Sequence, residues 1–302
     1  MTGGAGFIGT HLVKRLVSLG ASVAVVDDLS GSSWTTPPKS VSFHKLHLPA
    51  DPFTKLVAEG SFDSIFHLAG SAYVPPSLKD PVGDLKNNAA VTLHVLEAIR
   101  HGSPSTRLVF ISSAAVYGNP RTLPITETHF PVPISPYGVS KLAAESYVSL
   151  YARLYGLRTT SLRLFSVYGP GQRKQVVFDL MTKLHENSKE ITVFGTGRET
   201  RDFIYIDDVI NAILSVLIRS GLKGEVYNAA TGNGTTLKQL VTILADLLGA
   251  RSQIVYTGDV RPGDPLVWLA DISRIKALGF NPETRLEDGL KKVCDWYLSG
   301  IV

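Results

Sequence analysis

Cysteine is almost absent. Cys294 stands alone in 302 residues, so no disulfide closes within the chain, and a reducing, cytoplasmic setting is the expectation. Long apolar runs are missing as well. Nothing approaches the ~18 residues of a membrane-spanning helix, although 44% of the residues are hydrophobic. The chain opens on glycines rather than on a basic stretch with an apolar core, and so reads as having no signal peptide. The eight histidines form no His-x-x-x-His pair with an acid nearby, which argues against a metal. Lys and Arg outnumber Asp and Glu by 30 to 26 and are scattered, so neither nucleic acid nor a membrane surface is an expected partner. No low-complexity segment or short repeat is present. What remains is a chain long enough for one large domain or two.

Glycine, by contrast, is concentrated at the start. Met1-Thr2-Gly3-Gly4-Ala5-Gly6-Phe7-Ile8-Gly9 leads into an apolar-periodic helix that runs to about Gly20. Gly4, Gly6 and Gly9 fit G-x-G-x-x-G, and Gly3, Gly6 and Gly9 fit G-x-x-G-x-x-G. Such glycines allow a tight turn and let the backbone approach a pyrophosphate at the helix N-terminus. Ala21 to Val26 reads as a buried strand ending in Asp27-Asp28, and Asp27 falls 18 residues after Gly9. A carboxylate there accepts hydrogen bonds from a ribose diol. No Lys or Arg follows until Lys39, so NAD is favoured over NADP. A strand should precede the glycines, yet only Met1 and Thr2 do. Either the sheet forms without most of that strand, or a few natural N-terminal residues are lacking.

Strand and helix patterns then alternate. Strands are expected at 41–46, 64–68, 108–111 and 159–164, with helices at 88–100 and from Tyr137 to Tyr155. Alternation of this kind implies a doubly wound parallel sheet covered on both faces, with ligands beyond the strands' carboxyl ends. Asp27, Ala69-Gly70-Ser71, Ser112-Ser113 and Phe165-Ser166 all fall at such ends. Beyond Pro170 the pattern loosens. Helices are expected at 178–185, 209–220 (capped by Asp207) and 237–248, with short strands at 191–194, 225–228 and 254–256. Asp271 is expected to cap a short helix before Gly279. The fold expected is α/β, a Rossmann-like sheet with a smaller α/β lobe. Residues 1–166 with about 199–230 form the nucleotide half, and about 167–198 with 231–302 form the lobe.

The chemistry centres on Ser135-Pro136-Tyr137-Gly138-Val139-Ser140-Lys141. Pro136 suits a helix's first turn. Tyr137 and Lys141, four apart, share a helical face. A free phenol, with a pKa of about 10, is a poor base; a nearby ammonium favours the phenolate. Such a pair can exchange a proton with a sugar hydroxyl.

Taken together, several segments resemble the extended short-chain dehydrogenase/reductase family and, within it, the NAD-dependent nucleotide-sugar epimerases. They are Thr2 to Gly9, His67-Leu68-Ala69-Gly70, Ser112 to Gly118, Ser135 to Lys141, Tyr168-Gly169-Pro170-Gly171, Thr200-Arg201-Asp202-Phe203 and Arg261-Pro262-Gly263-Asp264. The resemblance runs over nearly the whole chain. It implies C4 inversion of a UDP-hexose, UDP-glucose or UDP-galactose, through a 4-keto sugar, with NAD as a resident cofactor.

By the same resemblance Tyr137 is the acid/base, Lys141 holds the nicotinamide ribose, and Ser113 relays the proton, with Ser112 as the alternative. The cofactor would lie against Gly3, Gly6, Phe7, Ile8 and Gly9, then Asp27, Asp28, Leu29 and Ser30. Leu68, Ala69, Gly70, Asn88, Ser112 and Phe165 would complete its site. Arg201 and Arg261 would bind the diphosphate. Ser166, Val193, Phe194, Asp264 and Trp268 would join Ser113 and Tyr137 around the sugar nucleotide. A bulky Trp268 resembles the residue of enzymes restricted to sugars without a 2-acetamido group. The helices at about 88–100 and 136–155 resemble those of a homodimer interface, with Tyr147, Leu150, Tyr151 and Leu154 as its apolar stripe.

Three positions depart from the family. Ala114 and Ala115 replace the Asp-Glu pair with which related dehydratases eliminate water. Ser166 replaces a substrate-touching asparagine. His47-Leu48 replace an acid near the adenine. The alternatives are an epimerase of UDP-N-acetylhexosamine or UDP-glucuronate, a dehydratase, decarboxylase or reductase on the same scaffold, and a non-catalytic NAD sensor. His67 and Tyr117 are expected to be structural.

Overall fold

The computed structural model describes residues 1–32, 34, 36–186, 189–259 and 263–300. Strands β1 (Val23–Asp27), β2 (Val41–Lys45), β3 (Ser64–His67), β4 (Arg107–Ser113) and β5 (Thr159–Leu164) come first, followed by the short β6 (Ser166–Tyr168), β7 (Glu190–Val193) and β8 (Thr200–Tyr205). Then come β9 (Lys223–Ala229), β10 (Gly234–Thr236) and β11 (Gln253–Tyr256). Of the helices, those that build the site are α1 (Phe7–Ser18), α2 (Asp51–Glu59), α3 (Val74–Lys79), α4 (Pro81–Leu85), α5 (Val91–Gly102) and α6 (Pro136–Tyr155). The lobe and the second face of the sheet add α7 (Gln175–Glu186), α8 (Ile206–Arg219), α9 (Leu237–Leu248), α10 (Ser273–Lys276) and α11 (Leu286–Ser299).

The main sheet is parallel. β2 pairs with β1, and β3-β4-β5-β9 form a second run. Met1 to Gly3 fills the gap between the two runs. Thr2 bridges both Val26 and His67 in parallel. Val26 N donates to Met1 O and Gly3 N to Val26 O on one side; Thr2 N donates to Phe66 O and Leu68 N to Thr2 O on the other. Three residues are thus enough to carry the ladder across the central position.

Both faces are covered, as the uninterrupted burial of β4 and β5 requires. On one face α2, α5 and α6 bring Phe53, Val57, Val95, Leu96, Ile99, Ala144 and Val148 against Ile65, Leu108 and Phe110. On the other, α1 and α8 pack together against the sheet. Of the 199–230 segment assigned to the nucleotide half, β9 joins the parallel sheet. β8 instead lies between β6 and β10 in a small separate sheet. β7 and β11 pair in parallel elsewhere in the lobe.

Element bounds follow local chemistry. α6 begins where Ser135 Oγ accepts from Gly138 N, has Pro136 in its first turn, and stops at Gly156 in the left-handed region. A π-helical turn, Lys86–Ala90, precedes α5 and carries Asn88, so the expected helix at 88–100 does not start as regular α-helix. Asp207 is not a cap: α8 starts one residue earlier, at Ile206, directly from β8, and Asp207 sits in its first turn. Asp271 is not the N-cap of α10 either, since Ile272 holds that position, although Asp271 Oδ1 accepts from Ser273 N at 2.8 Å.

One polar cluster crosses this interior. Arg163, near the carboxyl end of β5, donates through Nε and Nη2 to the Glu145 carboxylate on α6. Both side chains are 5% exposed. Ser112 Oγ donates to the same carboxylate at 2.7 Å. Arg163 Nη1 donates to Tyr117 Oη, which donates to Asn228 Oδ1, each at 2.7 Å. Removing one partner of a buried, satisfied ion pair leaves an uncompensated charge. Glu145→Ala is therefore expected to cost about 3–5 kcal/mol in equilibrium denaturation, whereas substitution of the exposed pair partner Glu59 should cost under about 1 kcal/mol.

Candidate active site

The glycine loop closes tightly. Gly3 has φ +72°, and a Cβ there would lie 2.5 Å from Ala69 N. A Cβ on Gly9 would meet the Gly3 carbonyl oxygen at 2.2 Å. Gly6 is different: its Cβ would find no neighbour closer than the Gly3 carbonyl oxygen at 3.5 Å, an ordinary contact. Gly6 is also the N-cap of α1, with no side-chain cap and no acid in the first turn of Phe7 and Ile8. Free amides at a positive helix end, reached through a residue without a side chain, suit a pyrophosphate.

The acids at the end of β1 divide their work. Asp27 Oδ2 accepts from Ala5 N at 3.0 Å and Oδ1 from Leu29 N at 2.8 Å, tying the loop to the strand end. Each oxygen keeps a lone pair for a ribose hydroxyl. Asp28 is engaged away from it. Its Oδ1 accepts from Ser30 N and Oγ, and its Oδ2 lies 2.7 Å from His47 Nδ1. Leu29 lies between them at φ +67°.

A hydrogen-bonded chain runs behind the loop. Thr92 Oγ1 donates to Asn88 O at 2.7 Å, so His67 Nε2 donates to Thr92 Oγ1 at 3.0 Å and Nδ1 accepts from Thr2 Oγ1 at 2.6 Å. His67 is fully buried, and burial together with Lys141 lowers its pKa to about 3. Its role is structural. The chain ends at Asn88, whose Nδ2 donates to Asp84 O and Oδ1, both at 3.2 Å. Asn88 Oδ1 is buried without a partner and abuts Gly70, whose Cβ would lie 2.5 Å away. This free acceptor, close to Leu68-Ala69-Gly70 at the end of β3, fits a polar group of a bound dinucleotide.

Tyr137, 8% exposed, lies at the start of α6. Ser113, at the end of β4, lies close enough to the phenol to lower its pKa, and its hydroxyl accepts from Ala115 N at 3.2 Å. One turn on, Lys141 Nζ donates to Ile111 O at 3.0 Å and lies over the Phe110 ring. The expected acidification of the phenol by Lys141 is not seen. Burial pushes Tyr137 up to about 12, against the effect of Ser113 and helped by Asp84. Burial lowers Lys141 to about 8, against Asp84. Desolvation outweighs the ammonium, which is turned to a backbone carbonyl. Ser112, the alternative relay, is committed to Glu145, two turns further along α6.

The lobe side is built around Trp268. Its Nε1 donates to Gly118 O at 3.0 Å, its ring meets Phe165 edge-on at 6.2 Å, and the Arg201 guanidinium lies 5.5 Å from its centroid. Arg201 Nη1 also donates to Thr200 O and Leu266 O. Burial lowers its pKa, while Asp264 and Glu199 act in the opposite direction. Gly263 leans on Val74 and Ser135, where a Cβ would lie at 3.1 and 3.4 Å, so this loop reaches the start of α6. Val193 is buried at the end of β7, and Phe194 beyond it is 37% exposed. Ser166 is half-buried at the start of β6. Arg261 lies outside the described residues.

Sequence reasoning missed two contributors. Asp84, 4% exposed, stands four residues before Asn88, and that spacing was the available signal. Gly118, which fixes Trp268, had none beyond its place after Tyr117.

Residues 1–230 match the family model described as the NAD-dependent epimerase/dehydratase family. Among solved structures, UDP-glucose 4-epimerase of Thermotoga maritima, with UDP-glucose, is 34% identical at a TM-score of 0.93, covering 100% of this chain and 98% of that one. UDP-N-acetylglucosamine 4-epimerase of Methanobrevibacter ruminantium, with UDP-N-acetylmuramic acid, is 30% identical at 0.91, covering 99% and 97%. UDP-glucuronic acid 4-epimerase of Bacillus cereus, with UDP-glucuronic acid and NAD, is 31% identical at 0.89, covering 99% and 98%.

The neutral, buried His67 makes stability pH-dependent. Its folded pKa, about 3, lies below the ordinary 6.5, so the unfolded chain binds the proton more readily. The stabilisation is complete above the unfolded value and is lost as pH falls towards the folded one. Thermal melts should therefore decline between pH 6.5 and 4, and His67→Gln, which can still donate and accept, should flatten that decline.

Proposed function

The chain belongs to the NAD-dependent epimerase/dehydratase family, and from that premise we propose that it inverts C4 of a UDP-hexose, UDP-glucose or UDP-galactose, through a 4-keto sugar. The observation that carries this reading is the Ser113–Tyr137 pair followed by Ala114 and Ala115. The pair can take the C4 hydroxyl proton and return it. The two alanines, at most 5% exposed, offer no acid or base for eliminating water. This favours epimerisation over dehydration.

The cofactor is NAD. The Gly3–Gly9 loop and the α1 amides would hold its pyrophosphate, Asp27 its adenosine ribose, and Lys141 its nicotinamide ribose. NAD held there would supply an acceptor and donor of hydride at C4, and its positive charge would favour the phenolate that burial alone disfavours. Tyr137 removes the O4 proton with Ser113 as relay, then reprotonates O4 once the keto sugar presents its other face. Lys141, as an ammonium, would stabilise the phenolate that stands ready before the O4 proton is taken and forms again after it is returned. The lobe, assigned to about 167–198 and 231–302, holds the nucleotide. Arg201 meets the diphosphate, and Trp268 forms a wall beside the sugar. That ring is held by Gly118 and Phe165 and cannot easily swing aside, which supports glucose and galactose over their 2-acetamido forms. Protomers would pair through the helices at 88–100 and 136–155; Tyr147, Leu154 and Tyr155 are 39%, 63% and 46% exposed on α6.

Two variants test this reading. Purified protein given UDP-galactose should form UDP-glucose by NMR, and Tyr137→Phe should lower kcat by about 10²–10⁴-fold with NAD retained. A sensor would be indifferent to the change. Trp268→Ala should raise kcat/KM for UDP-N-acetylgalactosamine relative to UDP-galactose by about tenfold or more; an unchanged ratio would remove Trp268 from sugar selection.

A further inference from the structure

Of the buried carboxylates that the mechanism leaves unused, Asp84 has an oxygen without a partner. Asp84 lies in α4, which packs on the face of α6 that carries Tyr137. It is 4% exposed. Asp84 Oδ1 accepts from Asn88 Nδ2 at 3.2 Å, while Oδ2 is buried without a partner. An uncompensated carboxylate is costly in such a place. The helix bearing it is bonded at both ends, and the preceding helix is bonded to the start of α6. Asp80 Oδ1 accepts from Gly83 N at 2.8 Å, Asn88 bonds the Asp84 carbonyl, and Ser77 Oγ in the preceding α3 accepts from Tyr137 N at 3.1 Å. The position of Asp84 relative to Tyr137 is thus fixed by the fold.

We infer that Asp84 is a positioning residue for the proton exchange at Tyr137, its carboxylate setting the charge balance of the Tyr137–Lys141 pair and hence the pH window in which the pair works. The inference rests on the functional reading above. The charged and titratable groups around the pair are few. Asp84 faces it from α4. His67 faces Lys141 from β3 and is held neutral. Glu145, the next turn of α6, is closed against Arg163 and Ser112. Asp84 is therefore the negative charge not neutralised by a contact partner. It opposes the phenolate and supports the ammonium, in line with the directions found for both groups. A site with Asp84 works at higher pH on both limbs than one without it.

The test is the pH profile of kcat/KM for UDP-galactose in the NAD-bound enzyme and in its Asp84→Asn variant. Asn is isosteric and keeps an acceptor for Asn88. Both limbs should move to lower pH by about one unit. Asp84→Glu should restore the wild-type position. A profile lowered in height but unmoved would make Asp84 merely structural and overturn the inference, as would an unchanged profile. Asp84→Ser, smaller than the site and also neutral, gives the same reading if Asp84→Asn does not fold. A second readout needs no substrate. Tyrosinate absorbance is titrated in the protein and in Tyr137→Phe, and their difference is followed with and without Asp84→Asn. A Tyr137 difference that begins at lower pH in the Asp84→Asn background supports the inference; an unmoved onset overturns it. Absence of C4 inversion in the wild type would instead overturn the functional reading, and the absorbance titration would still decide the role of Asp84.

Discussion

One face of α6 is bound to the sheet in three successive turns, and the site depends on that attachment. Tyr137 meets Ser113 at the end of β4. Lys141 donates to Ile111 O, farther back on the same strand. Glu145 accepts from Ser112 and Arg163 and so joins the helix to β4 and β5 at once. Residues four apart share a face, so these contacts fix both the rotation and the height of the helix. The buried ion pair is weak evidence for stability in itself. Its consequence here is register: a helix that slid along the sheet would lose all three rungs together.

A second constraint comes from the middle of the sheet. Thr2 occupies the central slot and, through His67 and Thr92, holds the turn that carries Asn88. The glycine loop, the end of β3 and the π-helical turn are therefore set relative to one another before any ligand arrives. Trp268 then links the lobe to the segment after β4 through Gly118. Dinucleotide side, proton-exchanging pair and sugar wall are three rigid parts meeting at the strand ends, as expected of an open parallel sheet. The cost is desolvation. The same burial that fixes Tyr137 raises its phenol to about 12, and on the proposed reading the charge of a bound NAD would offset that rise.

Much of this was legible in the residues. The glycine spacing, the acid after β1, the strand ends and the Tyr137–Lys141 helix are local patterns, and each is where its pattern pointed. What was not legible depended on distant contacts. Both Ser112 and Ser113 sit at a strand end near α6, and only the folded chain shows that Glu145 takes the first and leaves the second beside Tyr137. β8 has strand chemistry, but nothing local says that it leaves the main sheet for β6 and β10. Asp207 resembles a cap because β8 runs into α8 without a loop. The phenol's pKa could not be read from a Tyr-x-x-x-Lys spacing, because the spacing shows the ammonium but not the burial. Asp84 was overlooked for a related reason: its neighbours on α6 are remote in the chain.

The central claim is that hydrogen leaves C4 and returns to C4 on one tightly held cofactor. The direct measurement is NMR of UDP-galactose carrying deuterium at C4, incubated with purified protein in ordinary water without added cofactor. The account predicts UDP-glucose with the deuterium still at C4. Inversion with loss of deuterium to solvent, or no inversion of UDP-galactose at all, would contradict it.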